Sequence, residues 1–480
     1  MLFNSFEFLV FFCIVTGLFF LLPHKFRYLL LLAASCYFYM FFKPVYILIL
    51  AFTIVVDYFA GLLIAKTTDK RKRKLYLLLS IIANVGILAV FKYFNFIAGN
   101  INAVLAAVNA GSHLPLLEIL LPIGLSFHTF QAMSYTIEVY RGNQAPEKHF
   151  GIYALYVMFY PQLVAGPIER PQNILHQFHE KKYFDPERLQ SGLRLILLGL
   201  FKKCVIADRL SIAVDAVYAD PHGYSGFSIL ISTVFFAIQI YCDFSGYSDI
   251  ALGTARCMGF TLMQNFKQPY LSKSISEFWT RWHISLSSWF KDYLYIPLGG
   301  NRVAVKRVYF NLLFVFIVSG LWHGANWTFI AWGTLHGLFL IISLILKKTF
   351  PKIKLPGFIL VALTFTLVCI TWIFFRAADI KEALHMVAAI FTYNTGYFTL
   401  NQSDLHGLAD TYLGLPLWQF CLTSLLVPLM LFIDYMFASG KYQKIYNWPA
   451  FARWSLYYLV ILLILVAGVF NTNQFIYFQF

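Results

Sequence analysis

The chain has 480 residues, of which 60% are hydrophobic and only 12% are charged. Soluble domains carry about 25% charged residues, so this composition excludes an ordinary water-soluble protein. Several apolar runs reach the roughly 17 to 25 residues that cross a bilayer as a helix, and the residue mix favours helices over the alternating strands of a barrel. We predict an all-α polytopic protein of about 10 to 12 transmembrane helices, embedded in membrane lipid.

The net charge of +15 is distributed unevenly along the chain. Basic clusters lie at 66–74, 347–354 and 441–453, and long segments without Lys or Arg lie at 93–140, 383–440 and 454–480. This asymmetry is typical of membrane proteins, whose cytoplasmic loops carry an excess of Lys and Arg. We therefore interpret the positive charge as a topology signal and expect no nucleic-acid partner.

The first apolar runs in chain order lie at 5–22, 26–42, 44–65, 75–92 and 117–140. They put the N-terminus outside the cytoplasm and the basic cluster at 66–74 inside it. The stretch 150–300 is less regular because prolines interrupt its apolar patches. It is predicted to hold helices at 188–207 and 226–242, with short re-entrant or amphipathic helices between them. Broken backbone at membrane depth is buried in protein or lines a cavity, so a functional site is expected here.

The remaining apolar runs lie at 308–322, 325–346, 356–375, 415–436 and 454–470. When the two later basic clusters are placed in the cytoplasm, these runs put residues 471–480 on the extracytoplasmic side. This segment, which we call the tail, ends in FIYFQF. We predict one transmembrane domain over 1–470, followed by the tail, with both chain ends extracytoplasmic.

Polar residues at membrane depth indicate functional sites because they are costly to bury there. They concentrate in EFWTRWHISLSSWFKDYLYIPLGGNR (277–302) and SGLWHGANWTFIAWGTLHG (319–337). The candidate residues in these stretches are Arg281, His283, Trp322, His323, Asn326 and His336. Gly324, which follows His323, permits a close approach or a sharp turn.

Each histidine has three interpretations from the residues alone. It is a hydrogen-bonded packing residue, a metal ligand, or an acid–base group, since an imidazole titrates near neutrality. No carboxylate cluster completes a metal site around His323 and His336, so we expect no metal. The acids of CDFSGYSD (242–249) are expected to be structural, satisfying backbone groups or pairing with a buried base. The usual phosphate-loop, zinc-protease and serine-hydrolase motifs do not occur in the sequence.

Six motifs occur in a fixed order along the chain. They are LLPIGLSFHTFQAMSYTIEVYRG (120–142), FYPQLVAGPIERP (159–171), YCDFSGYSDIALG (241–253), NFKQPYLSKSISEFWTRWHISLSSWFKDYLYIPLGGNR (265–302), SGLWHGANWTFIAWGTLHG (319–337) and WIFFRA (372–377). Through them the chain resembles the membrane-bound O-acyltransferases (MBOAT), in particular the branch that acetylates alginate and peptidoglycan. The resemblance runs from near the N-terminus through the last helix.

The resemblance implies a ring of transmembrane helices around a central funnel, with catalytic motifs at 265–337. The family's catalytic histidine, in LWHG, corresponds to His323, and its second histidine, in RWHIS, corresponds to His283. His336 matches a further position that is commonly histidine in this branch. Arg281, Trp322 and Asn326 are candidate supporting residues beside these motifs.

The implied activity is O-acetyl transfer in the bacterial cytoplasmic (inner) membrane. Acetyl-coenzyme A would be the cytoplasmic donor, a substrate rather than a tightly bound cofactor, and the residues that bind it are unknown. The acceptor would be an extracytoplasmic serine-hydrolase-like acetyltransferase that esterifies a cell-envelope or exopolysaccharide such as alginate or peptidoglycan. The motifs belong to the shared machinery and leave the polymer open.

The tail also resembles a known element of such systems. Related bacterial acylation systems use a C-terminal hexapeptide with aromatic residues and a central tyrosine as an acyl shuttle, and in FIYFQF this residue is Tyr477. From Asn471 to Tyr477 an extended chain spans up to roughly 23 Å, whereas half a hydrocarbon core is about 15 Å. The alternative is an aromatic anchor at the membrane interface.

Two other functional classes fit the pattern of helices. One is a transporter that moves an acyl donor or a glycan without chemistry, because it would also have broken helices and a central site. The other is a structural membrane subunit that only recruits an extracytoplasmic partner. Retention of acetylation after replacement of His323 would argue against the enzyme.

Overall fold

Regular structure in the described part of the chain is entirely helical. The computed structural model describes residues 1–109, 111–118, 121–164, 166–352, 355–392, 412–470 and 475–476. All regular elements within these ranges are α-, 3₁₀- or π-helices. The predicted all-α class is confirmed.

The α-helices are numbered here in chain order over the described residues. The first ten are α1 (Phe6–Leu21), α2 (His24–Met40), α3 (Ile47–Lys66), α4 (Lys70–Leu88), α5 (Phe94–Ala107), α6 (Leu125–Arg141), α7 (Phe150–Met158), α8 (Tyr160–Leu163), α9 (Pro171–His179) and α10 (Pro186–Leu200). The next ten are α11 (Asp208–Ala219), α12 (Gly226–Met258), α13 (Ile275–Arg281), α14 (Ile284–Phe290), α15 (Val305–His323), α16 (Trp327–Thr349), α17 (Gly357–Arg376), α18 (Ile380–Phe391), α19 (Leu417–Ala438) and α20 (Ala450–Ala467). Segments of π-helix extend three of them, at Ala89–Tyr93, Phe201–Ala207 and Lys291–Tyr295.

Eight helical segments in the described ranges are long and apolar enough to cross a membrane. They are Pro44–Lys66, Lys70–Ala107, Gly226–Met258, Val305–His323, Trp327–Thr349, Gly357–Arg376, Leu417–Ala438 and Ala450–Ala467. The expected number of about 10 to 12 also counted runs whose helices are shorter, namely α1, α2 and α6 with 16, 17 and 17 residues. The chain is a multi-pass membrane protein.

The irregular stretch at 150–300 contains both short and long helices. Helices α7, α8 and α9 have 9, 4 and 9 residues, in line with the expected short pieces. Helix α12, by contrast, continues to Met258 and has 33 residues instead of ending at 242. The first polar residue after 242, Asp243, is buried and pairs with Lys203.

The described residues form two compact units. One comprises Met1–Ile196 and Tyr247–Gln264, and the other comprises Leu197–Gly246 and Asn265–Phe480. We call the second the histidine unit, because His283, His323 and His336 all belong to it. The single domain expected over 1–470 remains a prediction.

The first unit is held together partly by a buried polar cluster. Both carboxylate oxygens of Asp57 in α3 accept hydrogen bonds from the Asn84 amide in α4, at 3.0 and 2.9 Å. The Ser80 hydroxyl lies 2.5 Å from Asp57 Oδ1 and 3.0 Å from the Thr136 hydroxyl of α6. Because buried polar groups at membrane depth are costly unless they are paired, the cluster fixes the contacts of these three helices.

Candidate active site

His323 is the last residue of α15 and is only 4% exposed. Close contact between α15 and α16 fixes its position: a Cβ on Gly320 or on Gly333 would lie 2.2 Å from a carbonyl oxygen of the facing helix. Gly324 also allows a close approach, since a Cβ there would meet the Phe329 ring at 2.1 Å. Only glycine fits at these three contacts, because real Cβ atoms do not approach other heavy atoms so closely.

Aromatic rings surround the His323 imidazole. The rings of Trp322 and Trp332 each have their centroid 4.9 Å from the His323 centroid, and Phe375 lies at 5.5 Å. All three contacts are edge-to-face, an arrangement that aromatic pairs favour. The imidazole is therefore held in one orientation by packing.

His283 lies between α13 and α14 in a left-handed backbone conformation, with φ 43° and ψ 55°. This conformation is uncommon for a residue other than glycine and costs about 1–2 kcal/mol. Asn265 stabilises it: its carbonyl oxygen accepts the Ile284 N–H at 2.9 Å, and its side-chain oxygen accepts the Ser285 hydroxyl at 2.6 Å. Strained backbone of this kind concentrates at functional sites.

The structure brings His283 and His323 together. Their ring centroids are 6.4 Å apart, and the Trp322 ring lies within 6.2 Å of His283. His283 is fully buried, and this burial lowers the pKa of its imidazole to about 3. The ring is therefore neutral near pH 7. Two imidazoles at this spacing in an aromatic surrounding are able to act on one bound group, one as a proton acceptor and the other as a hydrogen-bond donor.

His336 has a different environment. Trp279 Nε1–H donates to His336 Nδ1 at 3.3 Å, and His336 Nε2 lies 2.9 Å from the Thr371 hydroxyl. Since an indole N–H is only a donor, Nδ1 is the acceptor and Nε2 carries the proton of the neutral ring. Thr371 in turn donates to the Val368 carbonyl at 2.7 Å. These hydrogen bonds are the kind that the packing interpretation of His336 predicts.

Arg281 and Asn326 have structural contacts. Arg281 Nη2 lies 2.6 Å from Glu277 Oε1, one turn earlier in α13. Asn326 is the N-cap of α16: its side-chain oxygen accepts the Thr328 N–H at 3.0 Å, and its amide donates to the Ala378 carbonyl at 3.2 Å. A role of these two residues in catalysis remains a prediction.

Two residues of the tail are described, and both are buried in the histidine unit. Phe475 is 0% and Ile476 is 4% exposed. The Phe475 ring lies 5.6 Å from Phe244, and the Phe244 ring lies 4.7 Å from His283. Tyr477, the predicted shuttle residue, follows Ile476 in the sequence and lies outside the described residues.

Asp243 is the residue whose importance the sequence did not reveal. Its Oδ1 lies 2.6 Å from Lys203 Nζ, and its Oδ2 accepts the Ile476 N–H at 2.8 Å. The expectation that the acids of CDFSGYSD pair with a buried base or a backbone group is correct for Asp243. The sequence did not indicate that this backbone group belongs to the tail, because Asp243 and Ile476 are 233 positions apart.

Ligands of a metal ion would have to lie close together within the described ranges. Across those ranges no group of three or more His, Cys, Asp and Glu side chains is arranged to hold a metal ion.

Comparison with known proteins gives a consistent set of relatives. The family model of the membrane-bound O-acyltransferases matches residues 144–380. A probable alginate O-acetylase of Pseudomonas aeruginosa is 39% identical over 412 residues, covering 85% of this chain and 78% of that protein. A peptidoglycan O-acetyltransferase of Helicobacter pylori is 36% identical over 392 residues, covering 76% and 73%. A teichoic acid D-alanyltransferase of Streptococcus thermophilus is 32% identical over 250 residues, covering 48% and 59%.

These matches confirm the resemblance that the motifs indicated. The family model includes both buried histidines of the site, and the first two relatives cover more than two thirds of both aligned chains. Transport without chemistry and a purely structural role are therefore set aside. The chain belongs to the membrane-bound O-acyltransferase family and is an O-acyltransferase.

Proposed function

We propose that the protein moves acetyl groups from cytoplasmic acetyl-coenzyme A across the membrane, with Tyr477 as the covalent carrier. An extracytoplasmic serine-hydrolase-like transferase then takes the acetyl group and esterifies a cell-envelope or exopolysaccharide. The observation that carries this proposal is the burial of Phe475 and Ile476 in the unit that contains His283 and His323. This burial supports the carrier over an interfacial anchor, whose aromatic side chains would lie at the membrane surface.

The first step is attack of the Tyr477 phenol oxygen on the thioester carbonyl. A free phenol has a pKa near 10, so it needs a base, and His323 accepts its proton. His283 donates a hydrogen bond to the developing oxyanion. The carbon–sulfur bond then breaks, and the proton on His323 passes to the departing coenzyme A thiolate. The products are acetyl-tyrosine and free coenzyme A.

The second step transfers acetyl to a serine hydroxyl of the partner. The serine oxygen attacks the phenyl ester, the bond to the phenol oxygen breaks, and Tyr477 regains its proton. A phenyl ester is a more reactive acyl donor than the alkyl ester that replaces it, so this step is downhill. Coenzyme A stays on the cytoplasmic side throughout.

We propose acetyl as the acyl group and a polysaccharide as the final acceptor. The relatives named for O-acetylation of alginate and peptidoglycan align over 85% and 76% of this chain, whereas the teichoic acid D-alanyltransferase aligns over 48%. Alginate and peptidoglycan are both kept as candidate polymers, since relatives named for each align at similar identity.

The proposal is tested with purified protein in lipid nanodiscs and isotope-labelled acetyl-coenzyme A. Peptide mass spectrometry is expected to find one labelled acetyl group on Tyr477 and none after His323→Ala. Tyr477→Phe is expected to abolish tail labelling, whereas Tyr458→Phe, which alters an exposed tyrosine of α20, is the matched control and labels normally. Full acetylation by His323→Ala, or normal transfer to the partner by Tyr477→Phe, would contradict the proposal.

A further inference from the structure

The sequence analysis treated the acids near residue 243 as structural, but the structure connects one of them to the tail. We infer that Asp243, held by Lys203, is a docking point that positions the tail backbone for acyl transfer. The inference rests on the proposed function, because it concerns how the carrier residue reaches the two histidines. Asp243 is a positioning residue in this scheme, since it contacts the tail rather than the reacting atoms.

In this cluster the Lys203 ammonium group pairs with two buried carboxylates. Lys203 Nζ lies 2.6 Å from Asp243 Oδ1 and 2.7 Å from Asp208 Oδ1, and the three side chains are between 1% and 5% exposed. Burying charges is costly unless they are paired and hydrogen-bonded. One ammonium group does not fill the acceptor positions of two carboxylates, and the Ile476 N–H occupies the second oxygen of Asp243 at 2.8 Å. The tail therefore completes the cluster.

The same region of the histidine unit binds the chain at three points before and within the tail. The Arg209 guanidinium donates to the Ala467 carbonyl at 2.8 and 3.2 Å, which satisfies the end of α20. The Cys204 carbonyl, in the π-helix Phe201–Ala207, accepts the Val469 N–H at 3.0 Å. Segments of π-helix occur frequently at functional sites. With the bond at Ile476, the chain is bound at Ala467, Val469 and Ile476, of which the last two are seven residues apart.

Two of these contacts are made by the main chain and not by side chains. The bonds at Val469 and Ile476 use main-chain N–H groups, so they do not depend on the side chains at these two positions. Phe475 adds a ring contact to Phe244, which contacts His283. Because small misplacements of a reacting group lower the rate steeply, a fixed amide directly before the carrier residue is a means of orienting it.

The experiment is a double-mutant cycle on the two ends of the Asp243–Ile476 bond. Asp243→Ala removes the acceptor, and Ile476→Pro removes the N–H without changing the side chains of Lys203, Asp208 and Asp243. Ile476→Ala is the matched control, since it keeps the N–H. The two readouts are hydrogen exchange of the tail amides by mass spectrometry and the rate of tail acetylation at saturating acetyl-coenzyme A.

The Ile476 amide is expected to exchange about tenfold or more faster in Asp243→Ala than in the wild type. Tail acetylation is expected to fall about ten- to hundredfold in Asp243→Ala and in Ile476→Pro, with no further loss in the double mutant. The acetyl-coenzyme A concentration for half-maximal rate is expected to stay unchanged. Asp243→Asn, which retains an acceptor oxygen, is expected to recover part of both readouts.

Asp215→Asn is the control on the cluster side, since Asp215 pairs with Arg376 elsewhere in the same unit, at 2.8 Å. It is expected to leave the exchange of Ile476 unchanged. Equal exchange of Ile476 in the wild type and Asp243→Ala, or additive losses of rate in the double mutant, would overturn the inference. If wild-type protein shows no acetyl on the tail, the shuttle proposal fails, whereas the exchange comparison still decides whether Asp243 docks the tail.

Discussion

At the scale of single residues, the hydrogen bonds of His336 limit what this side chain can do. Both of its ring nitrogens are engaged, one by Trp279 and the other by Thr371. A general base needs a nitrogen lone pair directed at the substrate, so His336 would first have to break a buried bond. His323 and His336 look equivalent in the sequence, since each has a Trp nearby and is followed by Gly. The hydrogen bonds of His336 to Trp279 and Thr371 distinguish it in the structure.

We predict that His336→Ala affects stability more than chemistry. The variant leaves the Trp279 N–H without its acceptor and creates a cavity, which together are expected to destabilise the fold by about 2–4 kcal/mol. Acetylation per folded molecule is expected to fall less than tenfold, whereas His323→Ala abolishes it with a smaller loss of stability. Thermal unfolding in detergent and tail labelling measure the two effects. A stable but inactive His336→Ala protein would place this histidine in the reaction.

At the scale of elements, hydropathy locates helices well and the bends between them poorly. Runs predicted at 308–322 and 325–346 correspond to α15 (Val305–His323) and α16 (Trp327–Thr349). The break between α13 and α14 could not be predicted from hydropathy, because it depends on the left-handed backbone of His283 and on its contacts with Asn265. Apolar periodicity reports burial along a helix, but it carries no information about such contacts.

The glycine contact between α15 and α16 gives a prediction at this scale. Gly333→Ala would place a methyl group 2.2 Å from a backbone oxygen of α15, so the helices must separate and His323 must shift. We expect a loss of about 1–3 kcal/mol in stability and at least about a tenfold loss of tail acetylation. Thermal unfolding and tail labelling measure the two losses.

Gly86→Ala in α4 is the matched control for this substitution. Among the described residues, nothing lies within 4 Å of the position that its methyl group would take. Its stability is expected to be equal to that of the wild type or higher, because alanine favours a helix more than glycine does. A Gly333→Ala protein that matched Gly86→Ala in stability and activity would refute the packing argument.

At the scale of the whole molecule, the charge pattern predicts the membrane topology, whereas the position of the tail depends on contacts between residues far apart in the sequence. The basic clusters predict on which side of the membrane each loop lies, since this bias acts locally along the sequence. The contact of Asp243 with Ile476 joins positions that are 233 residues apart, and no local pattern predicts it. The family resemblance and the length of the tail thus predicted that the tail folds back into the protein. They did not identify Asp243 as the residue that accepts a hydrogen bond from it.

The relay requires the donor and the final acceptor to be on opposite sides of the membrane, and this gives the last prediction. Thr392 and Ser439 are exposed. Thr392 lies between the run predicted to pass outward at 356–375 and the run predicted to pass inward at 415–436, and Ser439 follows the second run. In a background with the native cysteines replaced, Thr392→Cys is expected to react with a membrane-impermeant maleimide in intact cells. Ser439→Cys, beside the basic cluster at 441–453, is expected to react only after permeabilisation. Labelling of both from one side would mean that the topology is wrong, and the tail would then not be positioned to deliver acetyl groups to an extracytoplasmic partner.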